Sequence, residues 1–67
     1  MDPKYPDVTV VLTGTDGNAY AIIGAVKEAL RKAGKTKEVT NAWCEESTSQ
    51  KSYDELLQLC FKWVNVD

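Results

Sequence analysis

The sequence predicts an α+β fold: one N-terminal strand followed by three helices, the tail being either a short C-terminal strand pairing with the first or the end of the third helix. Three observations carry this. Residues Val8–Thr13 are almost wholly β-branched, which favours an extended, pleated backbone. Residues 19–33 repeat apolar side chains at helical spacing, marking an amphipathic helix. The run Ser52-Tyr53-Asp54-Glu55 places a hydroxyl three residues before a carboxylate, the signature of a capped helix start.

The first seven residues hold Pro3 and Pro6, each fixing its own φ and removing a donor. They predict an extended leader over 1–7, followed by a single small α+β domain over 8–67. In the strand, Val8, Val10 and Leu12 share one face and Thr9, Val11 and Thr13 the other. One apolar face suits a sheet covered by helices on one side. Ala19, Ile22, Ile23, Val26, Leu30 and Ala33 form the inner stripe of the first helix, with Lys27, Glu28, Arg31 and Lys32 opposite. Gly34 follows, where a left-handed cap is expected. A second helix starts after Thr36, with Val39, Ala42 and Trp43 inward. It ends in the polar run Ser47–Lys51. The third helix presents Tyr53, Leu56, Leu57, Cys60 and Val64, widened by Phe61 and Trp63. The tail Trp63–Val66 reads as a frayed helix end or a short strand. One strand cannot satisfy its own backbone, so its partner is either this tail or the same strand of a second copy.

With 67 residues, the chain is a single domain. A core of this size supplies roughly 3–5 kcal/mol unless something reinforces it. No stretch approaches the roughly 20 apolar residues of a membrane span, and Met1–Val8 has no signal-peptide core. The expected location is the cytoplasm. There is no histidine, which removes the commonest general base and metal ligand. Cys44 and Cys60 are not spaced as a metal knuckle and read as reduced core residues. No catalytic residue, metal or cofactor is expected.

The stretch LTGTDGNAY (12–20) joins strand to helix. Gly14, Thr15, Asp16, Gly17 and Asn18 would form a ligand or nucleotide loop if helix N-terminal amides held an anion. The pattern lacks the lysine of a phosphate loop, and Asp16 puts a negative charge in the supposed nest. Asp16 and Asn18 also supply too few oxygens for a calcium loop. The architectural reading accounts for every residue: Asp-Gly is a turn, Gly17 takes positive φ, and Asp16 or Asn18 caps the helix.

LTGTDGNAYAIIGAVKEALRKAG resembles a family of short uncharacterised bacterial and phage proteins. Its members carry a strand, an LTG-x-DGNA turn and an II-G-x-V-x-x-AL-x-x-AG helix. YDELLQLCFKWV resembles their Y-D-x-L-L-x-x-C-x-x-W-V tail. The resemblance implies an accessory protein and transfers no catalytic residue.

Net charge is −2. Lys27, Arg31, Lys32, Lys35 and Lys37 form a basic cluster, but the sequence pI of about 5.0 argues against nucleic acid, whose binders usually read basic. Residues 1–37 hold six basic and four acidic groups, and residues 38–67 two basic and six acidic. Such asymmetry favours self-docking or a charged protein partner. Glu45, Glu46, Asp54 and Glu55 read as exposed rather than as an acid–base pair. Tyr20 lies off the inner stripe and, with Lys27, Arg31 and Lys35, is the candidate protein contact. The expected function is a non-enzymatic protein-interaction or regulatory module, with another protein or a homodimer as partner. The alternative is a ligand- or nucleotide-sensing domain using Gly14–Asn18.

Overall fold

The computed structural model describes residues 2–12 and 18–67. Among them the order is β1 (Tyr5–Val10), α1 (Ala19–Lys32), α2 (Lys37–Thr48), α3 (Tyr53–Trp63) and β2 (Val64–Val66). The two strands pair in parallel. Parallel pairing needs a long crossover, and here all three helices lie between the strands.

β1 begins earlier than the leader reading placed it, at Tyr5, and ends at Val10 instead of Thr13. Prolines do not prevent this, because Pro6 sits where the register is irregular. Tyr5 matches Val64, whereas Thr9 already matches Asn65. A residue without an amide is tolerated at such a bulge. The segment is tied down on both sides of Pro6. The Lys4 amide donates to the Lys62 carbonyl at 2.8 Å, and Asn65 Nδ2 donates to the Pro6 carbonyl. The Asp67 amide closes the ladder on the Val10 carbonyl at 2.9 Å. The tail is therefore a strand, and it is the partner of the first strand within the same chain.

Each helix start has a side-chain cap, which satisfies an otherwise orphaned amide. Asn18 Oδ1 accepts from the Tyr20 amide at 2.8 Å. Thr36 Oγ1 accepts from the Val39 amide at 3.3 Å, and Ser52 Oγ from the Glu55 amide at 3.1 Å. The Glu55 carboxylate reaches back to the amide of Lys51 at 3.1 Å, one residue before the cap. α1 ends in a Schellman turn. The Gly34 amide donates to the Arg31 carbonyl and the Lys35 amide to the Leu30 carbonyl, with Gly34 at φ +82°, where a side chain would strain the backbone.

The core joins Val8 and Val10 of β1, Ile22, Val26 and Leu30 of α1, Trp43 of α2, Leu56, Leu59, Cys60 and Trp63 of α3, and Val64 of β2. Trp43 is fully buried, and its indole N–H donates to the Ile23 carbonyl at 3.0 Å. Its ring meets Trp63 edge-on at 5.5 Å, and Trp63 meets Tyr5 at 5.7 Å. Such pairs add about 0.5–1.5 kcal/mol beyond their burial, and they stitch α2, α3 and β1 together.

Several inner-face expectations are corrected. Ala42 is exposed, while Thr40 and Ser47 are buried. Their hydroxyls donate to the carbonyls of Lys37 and Cys44, so burial leaves no unmet polar group. Leu59 replaces Phe61 in the core of α3, and Tyr53 and Phe61 stand outside it. Ile23 is half-buried and Ala33 exposed. Cys60 is buried and Cys44 half-buried, both as free thiols. Burial raises the Cys60 thiol to about 11, in keeping with its place in the core.

Candidate functional site

Among the described residues the exposed large hydrophobic side chains are Val11, Tyr20, Tyr53 and Phe61, and two of them, Tyr20 and Tyr53, meet at one groove. Tyr20 is 80% exposed, Tyr53 41% and Phe61 55%. Tyr20 leaves the first turn of α1, one residue after Ala19, which points inward. Tyr53 opens α3. The two tyrosines line a groove of about 320 Å³ between α1, the end of α2 and the start of α3. Ile23 and Leu56 give the groove its apolar wall.

Helical spacing extends this surface. Tyr53, Leu57 and Phe61 are four residues apart in turn, and such neighbours stack along one face. Leu57 is half-buried and links the exposed rings to the core. α3 thus carries two apolar stripes, one filled by the fold and one turned outward.

Several of the groove's polar side chains already bond to the chain itself, and Lys51 adds a cation at its edge. Ser47 Oγ and Thr48 Oγ1 donate to the Cys44 carbonyl, at 3.2 and 2.8 Å. Gln50 Nε2 donates to the Glu46 carbonyl at 3.0 Å, and Ser52 is the α3 cap. What remains toward solvent is mainly aromatic and aliphatic surface. A site of this kind selects apolar groups, because polar ligands need convergent donors and acceptors.

Gly24 adds a second unusual feature. It lies one turn beyond Tyr20 in the interior of α1, and an added Cβ there would meet nothing within 4 Å. Glycine inside a helix costs about 1 kcal/mol relative to alanine. Packing in this chain gives no return for that cost. The glycine leaves bare helix backbone beside Tyr20.

The residues expected to act as contacts separate into two groups. Tyr20, Lys27 and Arg31 are seven and four positions apart, so they share the exposed face of α1. Arg31 holds Glu28 through two hydrogen bonds, and that guanidinium lowers the Glu28 carboxyl below its usual range. Lys35 is not on this face. It lies past the α1 cap, pairs with Asp7 at 2.9 Å and sits 5.2 Å over the Tyr5 ring. The hydrogen bond lowers the Asp7 carboxyl. Lys35 therefore links the end of α1 to β1.

Of the ligand-loop candidates, Gly14, Thr15, Asp16 and Gly17 lie outside the described residues, and with them the expected positive φ of Gly17. Asn18 is described, and its side-chain oxygen is engaged in capping α1. No group of three or more His, Cys, Asp or Glu side chains among the described residues is arranged to hold a metal. No described helix is long and apolar enough to cross a membrane. Tyr53, Leu57 and Phe61 were assigned to the core by sequence. The available signal was the width of the α3 apolar arc, broader than one buried face requires.

The chain matches no protein-family model, no curated protein and no solved structure.

Proposed function

We propose that the chain is a non-enzymatic protein-interaction or regulatory module, an accessory protein of phage or mobile-element type, that holds its partner in the groove lined by Tyr20 and Tyr53. The observation behind this reading is the pair of exposed tyrosines, Tyr20 and Tyr53, that line one groove. Monomeric proteins seldom leave large apolar side chains clustered in water, and tyrosine is enriched among residues that dominate binding energy. The tyrosine rings and the Ile23–Leu56 wall favour an apolar anchor from another protein. Gly24 would let that partner approach the α1 backbone closely. Lys27, on the same face, supplies a cation at the rim.

The test is selection of peptides from a random displayed library against the whole chain, followed by amide shift mapping. The expected peptides carry an aromatic or branched aliphatic anchor, and shifts cluster at Ala19, Tyr20, Ile23, Gly24 and Ser52–Leu57. Tyr20→Ser abolishes the selection. Peptides that shift residues elsewhere, or bind the Tyr20→Ser chain equally well, would refute the assignment.

A further inference from the structure

A second surface lies along the other side of β1. β2 covers one edge of this strand, and no other strand adjoins it among the described residues. In a parallel pair alternate residues turn their backbone groups toward the neighbour. Val10 accepts from Asp67, so Val8 and Val10 face β2 while Thr9 and Val11 turn outward. Outward-facing strand groups are a template for another strand unless the edge is blocked. Pro6 blocks only the beginning of β1. Val11, by contrast, leaves an apolar side chain 58% exposed.

Beside this edge runs a groove of about 540 Å³, walled by residues 7–11 on one side and by α1 on the other. The α1 wall presents Glu28 and Lys32, four positions apart, with the small side chain of Ala29 between them. Glu28, which also holds Arg31 on its own helix, is negative and Lys32 positive, one on each side of a point between Ala29 and Leu30. α1 runs antiparallel to β1 here, because Lys35 beyond its C-terminus reaches Asp7. Thr9 therefore sits at about the level of Ala29.

We propose that a second copy of this chain docks on this edge, with β1 pairing antiparallel to its own copy about a two-fold axis near Thr9. In that arrangement Thr9 exchanges backbone hydrogen bonds with Thr9 of the second copy. A two-fold contact requires a patch complementary to itself. The α1 charges meet that requirement, since the axis sets Glu28 against Lys32 of the second copy, and Lys32 against its Glu28. A foreign strand would meet the same edge without this reciprocal charge match. The product is a four-stranded sheet, β2-β1-β1-β2, with both α1 helices on one face. This surface shares no lining residue with the Tyr20 groove, so it stands or falls independently of the proposed function.

Sedimentation equilibrium of the whole chain, from micromolar to hundreds of micromolar, tests it. The expected particle at high concentration has twice the 7.4 kDa chain mass, with a melting temperature that rises with concentration. Val11→Lys and Glu28→Lys should each weaken the dimer by at least about tenfold, because a charge on the edge and a like-charge contact both oppose pairing. Lys32→Glu, which keeps the Glu28–Arg31 pair but sets a carboxylate against Glu28 of the second copy, should weaken the dimer by a like amount. Circular dichroism at low concentration confirms that each variant keeps its helices. Tyr20→Ser should leave the dimer unchanged. A 7.4 kDa particle at every concentration overturns the proposal. So does a dimer insensitive to Val11→Lys and Glu28→Lys, or one dissolved by Tyr20→Ser.

Discussion

Removing residues 64–67 should unfold this protein. The deletion takes away Val64, which is 1% exposed and part of the core, together with the half-buried Val66. Burying one valine contributes about 1.5–3 kcal/mol. The deletion also removes the Asp67 amide bond to Val10, the Asn65 side-chain bond to Pro6 and the rest of the β1–β2 ladder. Each such bond contributes about 1 kcal/mol net, and leaving buried acceptors unpaired adds to the loss. The total, about 4–6 kcal/mol from these two sources, meets or exceeds the roughly 3–5 kcal/mol that a core of this size supplies. A dimer on the opposite edge of β1 would not replace the lost strand, so concentration should not rescue the truncated chain. The assay is thermal and urea unfolding followed by far-ultraviolet circular dichroism at two concentrations. The expected result is no cooperative transition for the truncated chain. A cooperative melt within a few degrees of the full chain would show that β2 does not hold β1, and the pairing argument would fail.

Two further outcomes follow from the helices. Gly24→Ala should stabilise the fold by about 0.5–1 kcal/mol, raising the melting temperature by roughly 2–8 °C for a domain of this size. An unchanged or lower value would mean that Gly24 meets a steric demand the fold description omits. Cys60 should make stability fall at alkaline pH. Its thiol is raised to about 11 in the fold from 9.0, so above about pH 9 the unfolded chain ionises while the folded chain does not. Stability is then full below pH 9 and declines by about 1.4 kcal/mol per pH unit up to about pH 11. Urea titrations of the parent and of Cys60→Ala should diverge across that window, and parallel curves would exclude the effect.

The sequence made the element order readable because each helix carries both a period and a cap. Thr36, Ser52 and Gly34 marked boundaries that the structure places within a residue. The tail is legible only as a choice between helix end and strand, and the need of a lone β-branched strand for a partner leaves this tail and a second copy as alternatives, of which the structure shows the tail. Tyr5 was less legible, since two nearby prolines suggest a leader, and only the bulge opposite Val64 shows how Pro6 fits. The phase of α3 was the main ambiguity. Leucine, cysteine and aromatic residues surround most of that helix, so periodicity alone could not rank Leu59 above Phe61. Buried Thr40 and Ser47 were invisible for the opposite reason. Hydroxyls that bond to their own helix need no apolar pattern to be inside. Of the candidate contact surface, Tyr20 stood out by lying off its stripe, whereas Tyr53 and Phe61 passed for core. Lys35 looked like a surface cation because nothing in its neighbourhood of the sequence announces Asp7 or Tyr5.

The most direct test of the contact surface separates folding from binding in one pair of variants. Tyr20→Ser and Tyr53→Ser remove exposed rings that line the groove and contribute little to the core, so each should melt within about 0.5 kcal/mol of the parent, the usual range for surface positions. The affinity for a library-selected peptide, measured by calorimetry, should fall at least about tenfold in both, as expected for aromatic hot-spot residues. Unchanged affinity with unchanged stability would contradict the assignment, because the exposed rings would then serve neither folding nor recognition.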